Sequence, residues 1–316
     1  MQFKSILEEL EVTKFRKDVE RELEDYFEDS GYCMIEPKIF QNYDEFVCSN
    51  LRTNSKKTVK VLSGDSEIYI LRPDITMNIL QKIFSKWEKD KPLKVYYNSK
   101  IYLNNKNYNI KELRQMGIEY LGEDSLLADQ EMITMAVELM KKVDRPFILE
   151  LGSSKYLDSY FEEINIDIKL ENKIKNYIAK KNKHGLISLL NKNGIKSILL
   201  ENILSMQGDM EAVIEQARKY TLNLEMQNAL KELEDLKDIF AGNKMIPYIH
   251  FDLSMVADLD YYDGIIFKGY YFQSNKKILS GGRYDRLTEK FGRKTSAIGF
   301  SIDMDEFVGL MLKEAK

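Results

Sequence analysis

The chain has 316 residues, of which 44% are hydrophobic and 31% charged, a composition typical of a soluble globular protein with a sizeable core. Its formal net charge of −4 argues against a dedicated nucleic-acid binder, because phosphate contacts need a basic face. Two cysteines, Cys33 and Cys48, are too few for a disulfide framework, and no Cys/His cluster has the spacing of a zinc site.

The sequence also bears on location and cofactors. No apolar run reaches the ~18 residues of a membrane span, and the stretch 1–27 is too charged for a signal peptide. We therefore expect a cytoplasmic protein that engages neither a membrane nor a nucleic acid. The sequence also predicts no metal and no cofactor.

The first half of the chain predicts helices that alternate with strands. Apolar residues at helical spacing predict helices over 12–30, which Gly31 would end, 74–87 and 129–143, where Asp129 could be a cap. Alternation and turn residues predict strands over 32–37, 58–71 (a hairpin turning at Ser63-Gly64-Asp65), 93–104, 113–121 and 146–152.

The composition changes in the middle of the chain. Residues 158–242 are rich in Lys, Glu, Asn and Leu, contain no proline and follow a helical period, which predicts an inserted helical subdomain. The strand pattern then returns, over 248–253, 264–272, 278 into a Gly281-Gly282 turn, and 295–302, before a last helix over 303–315. This order predicts an α+β fold, in which 1–157 and 243–316 form an antiparallel sheet flanked by helices.

Polar residues at two places suggest a small-molecule pocket. Asp74 and Thr76 stand at a strand-to-helix junction, where a carboxylate could pair with a ligand ammonium group, although Asp74 could simply cap the helix. Gln115 and Glu119 project from one face of a strand, which is costly in a core unless they meet a partner. The alternative is that this face is in contact with solvent.

Two further motifs lie near the C-terminus. Tyr261 and Tyr262 precede an apolar strand and either line a pocket or pack in the core. The Gly281-Gly282 pair allows a close approach of the main chain, or makes a tight turn. Arg283 then either binds an anion or pairs with Asp285.

In this order and spacing, the motifs resemble the catalytic domain of histidyl-tRNA synthetase, a class II aminoacyl-tRNA synthetase. The resemblance covers nearly the whole chain: 31–37, 95–119 and 295–307 look like the three class II motifs, and 158–242 lies where the family carries its helical insertion. It implies a histidine pocket built from Asp74, Thr76, Gln115, Glu119, Asp129, Asp260, Tyr261 and Tyr262.

Three positions depart from that family. Where it has arginines that hold the triphosphate or act at the reacting carboxylate, this chain has Leu103, Ala257 and Glu306. Each lost charge-assisted contact is worth roughly 1.5–3 kcal/mol, so we expect no useful ATP chemistry. The chain ends at Lys316, shortly after the third motif, so the anticodon-binding domain is expected to be absent.

This pattern resembles the ATP phosphoribosyltransferase regulatory subunits, which are histidyl-tRNA synthetase paralogues. The resemblance implies a non-catalytic, allosteric subunit with a homodimer core, which joins a short-form catalytic subunit in a hetero-oligomer. It would activate that partner and mediate feedback inhibition by histidine in the first step of histidine biosynthesis. Histidine could bind in the ancestral pocket or at the subunit interface. The alternatives are a divergent or truncated synthetase-like enzyme that activates an amino acid, and a module that contacts tRNA or another partner.

Overall fold

The structure is a computed structural model that describes residues 5–49, 57–88, 91–105, 109–123, 126–257, 261–272, 274 and 276–314. The helices are α1 (Ile6–Asp29), α2 (Tyr43–Ser49), α3 (Thr76–Phe84), α4 (Leu126–Lys141), α5 (Ser154–Ile164), α6 (Ile168–Ala179), α7 (Lys183–Lys192), α8 (Ile198–Asn202), α9 (Met210–Arg218), α10 (Leu224–Gly242), α11 (Asp285–Glu289) and α12 (Met304–Glu314). The strands are β1 (Cys33–Met34), β2 (Phe40–Asn42), β3 (Lys60–Leu62), β4 (Ile68–Leu71), β5 (Leu93–Asn104), β6 (Ile110–Leu121), β7 (Phe147–Ser153), β8 (Gln207–Gly208), β9 (Ile249–Asp252), β10 (Ile265–Tyr271), β11 (Lys277–Arg283) and β12 (Ala297–Asp303).

Contacts divide the chain into two units. The first consists of Met1–Glu123 and Thr288–Lys316, and the second of Asp124–Leu287. In the first unit, strands pair in the order β1-β5-β6-β12, and β2-β4-β3 form a small antiparallel sheet. The β1–β5 pair is parallel, whereas β6 is antiparallel to both β5 and β12.

Helix α1 packs on the first unit through an apolar stripe and an acidic stripe. Val12, Val19, Leu23 and Phe27 are buried at helical spacing. The acidic stripe meets polar groups of β5 and β6: Glu20 lies 3.5 Å from the Arg114 guanidinium, Glu24 accepts from the Asn98 amide at 3.1 Å, and Glu28 accepts from the Tyr96 hydroxyl at 2.6 Å. The helix begins at Ile6, six residues before the predicted start, because Ser5 caps it. It ends before Gly31, as predicted, and Gly31 has the positive φ of 86° that favours glycine.

The chain's single tryptophan lies in an aromatic cluster of the first unit. The Trp87 ring is 5.6 Å from that of Phe84, which is 5.7 Å from that of Phe291. The Arg293 guanidinium lies 4.3 Å above the indole, a cation–π contact. A Cβ on Gly122 would come within 3.1 Å of the indole, so a larger residue there would displace this cluster.

In the second unit, strands pair in the order β11-β10-β7-β9-β8. The β7–β9 pair is parallel and the other pairs are antiparallel. Together with β1–β5, this pair makes the strand arrangement mixed, although the antiparallel pairing that the sequence predicts predominates. Helix α4 covers one face of β10, where the Tyr271 hydroxyl donates to the Met140 carbonyl at 2.7 Å.

In the second unit, capping side chains mark the starts of five successive helices. The helices α6, α7, α8, α9 and α10 each begin after a side chain that accepts a main-chain N–H of the first turn: Asp167, Asn182, Ser197, Asp209 and Asn223. Each such cap is worth about 1 kcal/mol. The run therefore forms short, separately capped helices, and the boundaries at 158 and 242 stay a prediction.

Several sequence predictions are confirmed and two need correction. The hairpin over 58–71 is present as β3 and β4. The strand predicted over 32–37 shrinks to Cys33–Met34. The Ile35 N–H still donates to the Tyr96 carbonyl of β5 at 2.9 Å, but the main chain at Pro37 and Lys38 bonds to side chains instead of a neighbouring strand. The predicted turn at Gly281-Gly282 is wrong, because both glycines lie within β11 and pair with Phe267 and Ile266 of β10.

Candidate functional site

A polar row on β6 forms the floor of the candidate site in the first unit. Gln115 and Glu119 share one face, with Gly117 between them, as the sequence predicts. Across the ladder, Glu119 is opposite Gly299 and Gln115 is opposite Asp303 of β12. Gln115 is half-buried, whereas Glu119 is 2% exposed. A carboxylate so deeply buried needs hydrogen-bond donors.

Helix α3 supplies one donor from its first residue. The Thr76 hydroxyl donates to Glu119 Oε1 at 2.6 Å, and both side chains are buried. Asp74 stands two residues before Thr76, and its Oδ1 accepts the N–H of Met77 at 2.9 Å. Asp74 therefore caps α3, the alternative that the sequence leaves open. The structure brings Asp74, Thr76 and Glu119 to the same end of this helix.

Two glycines make room for this row. A Cβ on Gly299 would overlap the Glu119 carboxylate, and a Cβ on Gly117 would overlap the Tyr97 ring. Glycine is therefore required on both strands for steric reasons. Tyr97, Gly117 and Gly299 are site residues that the sequence analysis misses. The only signal for them in the sequence is the single glycine in each of the ranges 95–119 and 295–307.

Two arginines precede predicted pocket residues of this unit in the sequence, Arg72 before Asp74 and Arg114 before Gln115, and both bond to groups of the protein. The buried Arg72 donates to the carbonyls of Pro37 and Lys100, both at 2.6 Å, and to Lys38 at 3.1 Å. Burial lowers the pKa of Arg72. Arg114 lies 3.5 Å from the buried Glu20 carboxylate. Both guanidinium groups therefore stabilise contacts between elements of the first unit.

The second unit contains a buried ion-pair cluster around Arg283. The guanidinium donates to Asp129 Oδ1 at 2.8 and 3.1 Å and to Asp285 Oδ1 at 3.3 Å. Asp129 lies inside the first turn of α4 and binds Arg283, so its predicted role as a cap is wrong. Burial raises the pKa of Asp129 to about 6, although Arg283 acts in the opposite direction. Arg283 thus pairs with acids, the alternative to binding an anion.

The predicted tyrosines form an aromatic group with a third tyrosine in this unit. The rings of Tyr261 and Tyr262 are 5.0 Å apart, and the Tyr284 ring is 5.8 Å from that of Tyr261. Tyr261 and Tyr262 are half-buried and Tyr284 is buried, so the group has an accessible edge. A Cβ on Gly282 would come within 2.8 Å of the Tyr262 ring, which explains a glycine inside a strand. Asp260 lies outside the described residues.

Asp263 joins the same region to α11. Its oxygens accept the main-chain N–H groups of Asp285 at 3.0 Å and Arg286 at 2.7 Å. Burial raises the pKa of Asp263 to about 6, and the hydrogen bond from Arg286 offsets part of that effect. Two carboxyls of the second unit, Asp129 and Asp263, are therefore costly to ionise.

The three positions without arginine are all half-buried. Leu103 is opposite Lys111 near the end of β5. Ala257 is the last described residue before Tyr261. Glu306 lies in the first turn of α12, and its N–H donates to Asp303 Oδ1 at 3.1 Å. Burial raises the pKa of Asp303, and the Glu306 N–H acts against that shift. No cation stands at these positions.

Within the part of the chain that the structure describes, no group of three or more His, Cys, Asp or Glu side chains could hold a metal ion. In that same part, none of the helices has the length and apolar character to cross a membrane.

The predicted pocket residues thus fall into two sets, one in each unit. The first set contains Asp74, Thr76, Gln115 and Glu119, of which Thr76 and Glu119 are bonded to each other. The second contains Asp129, Tyr261 and Tyr262. Besides the glycines and Tyr97, the sequence analysis misses Tyr284, because its ring contacts come from the fold and not from any spacing.

Known proteins resemble this chain both in sequence and in fold. The model of the histidyl-tRNA synthetase family matches residues 8–307. The ATP phosphoribosyltransferase regulatory subunit of Clostridium novyi is 34% identical over 300 residues, which cover 92% of this chain and 71% of that protein. The corresponding subunit of Bacillus cereus is 30% identical over 301 residues, with the same coverage.

A solved structure of a Bacillus halodurans protein, described as an ATP phosphoribosyltransferase regulatory subunit/histidyl-tRNA synthetase, superposes with a TM-score of 0.86 at 26% identity. The match covers 95% of this chain and 79% of that one. The ATP phosphoribosyl transferase (HisG:HisZ) complex of Thermotoga maritima contains a chain that superposes with a TM-score of 0.70 at 19% identity. That match covers 92% of this chain and 97% of the other. The predicted class II synthetase-like fold is thereby confirmed.

Proposed function

We propose that this chain, which belongs to the family of ATP phosphoribosyltransferase regulatory subunits, activates a short-form catalytic subunit and transmits histidine feedback inhibition to it. The chain itself carries out no reaction. Its partner makes phosphoribosyl-ATP from ATP and phosphoribosyl pyrophosphate, the first step of histidine biosynthesis. The complex is a hetero-oligomer with a homodimer of this chain at its core.

The observation that carries this proposal is that the arginines bind groups of the protein itself. ATP activation requires guanidinium groups aimed at the phosphates and at the reacting carboxylate. The arginines near the predicted pocket residues, Arg72, Arg114 and Arg283, bind carbonyls and carboxylates of the protein. The positions that would supply others hold two apolar residues and one acid. A scaffold with a polar pocket and no such cations is suited to binding an amino acid without reacting it.

We infer that histidine is the ligand of this polar pocket. Its amino group would meet Asp74 and Glu119, because a buried ammonium needs a carboxylate. Thr76 and Gln115 are proposed to complete the ligand set in the first unit. For Asp129, Tyr261 and Tyr262 of the second unit, the resemblance to histidyl-tRNA synthetase is the support for a role in histidine binding. In that unit, Asp129 is bonded to Arg283.

An activity assay with the cognate short-form catalytic subunit tests the proposal. Phosphoribosyl-ATP formation is measured with the catalytic subunit alone, with this chain added, and with histidine titrated into the mixture. We expect activation by the chain and inhibition by histidine, with a coupling of roughly 5–150-fold in affinity. No change on adding the chain would refute the assignment. Activation without histidine sensitivity would keep the activator role and remove the feedback role.

The competing enzyme hypothesis has its own assay. A divergent synthetase would exchange pyrophosphate into ATP in the presence of histidine. We expect no exchange above a blank without protein, because Leu103, Ala257 and Glu306 stand where arginines are needed. Clear exchange would replace the regulatory role with amino-acid activation.

The homodimer is supported by the surface around the first class II motif. Met34, Ile39 and Phe40 are each about half exposed, although all three are large apolar side chains. Exposed large apolar side chains that lie close together in the sequence favour a partner surface, and a two-fold interface is self-complementary. We expect light scattering to give the mass of a dimer. A monomer at every accessible concentration would contradict this part of the proposal.

A further inference from the structure

Within the segment 36–39 of the first unit, residues 36–38 are held by side chains and not by a strand ladder. β1 ends at Met34 and β2 begins at Phe40, so the main chain between them needs other hydrogen-bond partners. Asn78 supplies two: its Oδ1 accepts the Lys38 N–H at 2.8 Å, and its Nδ2 donates to the Lys38 carbonyl at 3.1 Å. Lys82 donates to the Glu36 carbonyl at 2.9 Å.

Arg72 supplies the remaining hydrogen bonds to the carbonyls of the segment. Its guanidinium donates to the carbonyls of Pro37 and Lys38, and its main-chain N–H donates to the Ile39 carbonyl at 3.0 Å. All four carbonyls from Glu36 to Ile39 therefore receive a bond from Arg72 or from α3. The position of the segment is therefore set by α3 and by Arg72, four residues before that helix. At the end of the segment, Ile39 and Phe40 present exposed apolar side chains.

Helix α3 connects this segment to the carboxylate site. An α-helix turns about 100° per residue, so Asn78 projects roughly 200° away from Thr76, and Lys82 lies on the Asn78 side. One side of the helix thus bonds Glu119 through Thr76, and the opposite side bonds the segment. A helix of nine residues is a short rigid body, and a shift at one side moves the other.

We propose that α3 couples the Thr76–Glu119 site to the segment 36–39, with Asn78 as the principal positioning residue. A change at the carboxylate, such as the arrival of an ammonium group, displaces the start of α3. The bonds of Asn78 pass that displacement to the main chain at Lys38, and so to the apolar surface of Ile39 and Phe40. The proposal rests on the proposed function only for the identity of the ligand.

Hydrogen exchange at the Lys38 amide tests the coupling without any ligand. Thr76→Val removes the hydroxyl that bonds Glu119 but keeps the branched shape, whereas Thr76→Ser keeps the hydroxyl and serves as the matched control. Exchange is measured by mass spectrometry with residue-level fragmentation across 33–40. We expect about a fivefold faster Lys38 exchange in Thr76→Val and the wild-type rate in Thr76→Ser, the effect of about one net hydrogen bond.

Asn78→Ala provides the second arm of the same experiment. It frees the Lys38 amide directly, so adding Thr76→Val to it should change the rate no further. A wild-type Lys38 rate in folded Thr76→Val protein would overturn the proposal, as would additive effects of the two variants. Should Thr76→Val fail to fold, Thr76→Ala removes the same hydroxyl with less bulk.

Histidine is then added to the wild-type chain and to Asn78→Ala. Slower Lys38 exchange with histidine in the wild type, but not in Asn78→Ala, supports both the coupling and the ligand. If histidine changes nothing anywhere while Thr76→Val still accelerates exchange, the proposed ligand fails and the coupling stands. If histidine binds by calorimetry but leaves Lys38 unchanged in the wild type, the coupling fails and the ligand stands.

Discussion

Two buried carboxylates, one in each unit, have opposite surroundings. Glu119 in the first unit receives a hydrogen bond from a neutral hydroxyl, that of Thr76. Asp129 in the second receives two from the Arg283 guanidinium. Two glycines clear space around the Glu119 row, whereas two acids enclose Arg283. The difference teaches that burial alone does not mark a binding residue. The groups that surround the carboxylate matter as well: a hydroxyl of α3 contacts Glu119, whereas a guanidinium forms an ion pair with Asp129.

The largest effect is expected on the free energy of unfolding when the Asp129–Arg283 pair of the second unit is broken. Arg283→Met should destabilise the protein by about 3 kcal/mol at pH 7.5, because it leaves the buried Asp129 without its cation. Urea unfolding followed by circular dichroism measures the loss. The control is Arg286→Met, whose exposed side chain lies 4.0 Å from Asp263, and which should cost less than about 1 kcal/mol. Equal losses from the two variants would mean that the Asp129–Arg283 pair is not a structural element.

For Glu119 in the first unit, the second-largest effect is expected on the affinity for histidine. Glu119→Gln keeps the size and an acceptor for Thr76 but removes the charge that would pair with an ammonium group. Histidine binding should weaken by ~1.5–3 kcal/mol in titration calorimetry. Glu112→Gln, on an exposed position of the same strand, is the control and should bind as the wild type does. Unchanged affinity in Glu119→Gln would move the site elsewhere, to the subunit interface that the sequence leaves open.

The smallest expected effect concerns pH and Asp263. Because burial raises its pKa to about 6, the folded protein holds this proton more tightly than the unfolded chain. The carboxyl therefore contributes most stability in acid, and that contribution is lost as the pH rises through about 6. Asp263→Asn cannot ionise, so its deficit against the wild type should shrink by about 1 kcal/mol between pH 5 and pH 7.5.

Urea unfolding of both proteins at the two pH values measures this change. Asp167→Asn, which alters the exposed cap of α6, is the matched control. A deficit of Asp263→Asn that grows with pH would contradict the sign of the pKa shift.

Local signals predicted much of the fold. The end of α1 before Gly31, the 58–71 hairpin and the shared face of Gln115 and Glu119 each follow from a pattern a few residues long. The caps of α6 to α10 are a further local signal, which our sequence predictions did not use: each is an Asp, Asn or Ser directly before a helix. The α+β class followed from the order of such elements.

Pairings between distant residues could not be predicted. Thr76 and Glu119 are 43 residues apart, and Asp129 and Arg283 are 154 apart, so no local spacing connects them. The glycine pair at 281–282 predicts a turn, because glycine is common in turns. In the fold, Gly282 instead makes room for the Tyr262 ring beside a strand. Only the tertiary neighbour distinguishes the two uses.

The aromatic cluster around Trp87 gives the molecule a built-in optical label. As the sequence has one tryptophan, intrinsic indole emission arises in the first unit alone, beneath the Arg293 guanidinium and beside Phe84. The many short helices of the second unit contribute strongly to the far-ultraviolet circular dichroism. Recording emission and dichroism in one denaturation series therefore tests whether the two units melt together. A variant such as Arg283→Met would reveal independent melting by shifting the dichroism midpoint while the emission midpoint stays in place.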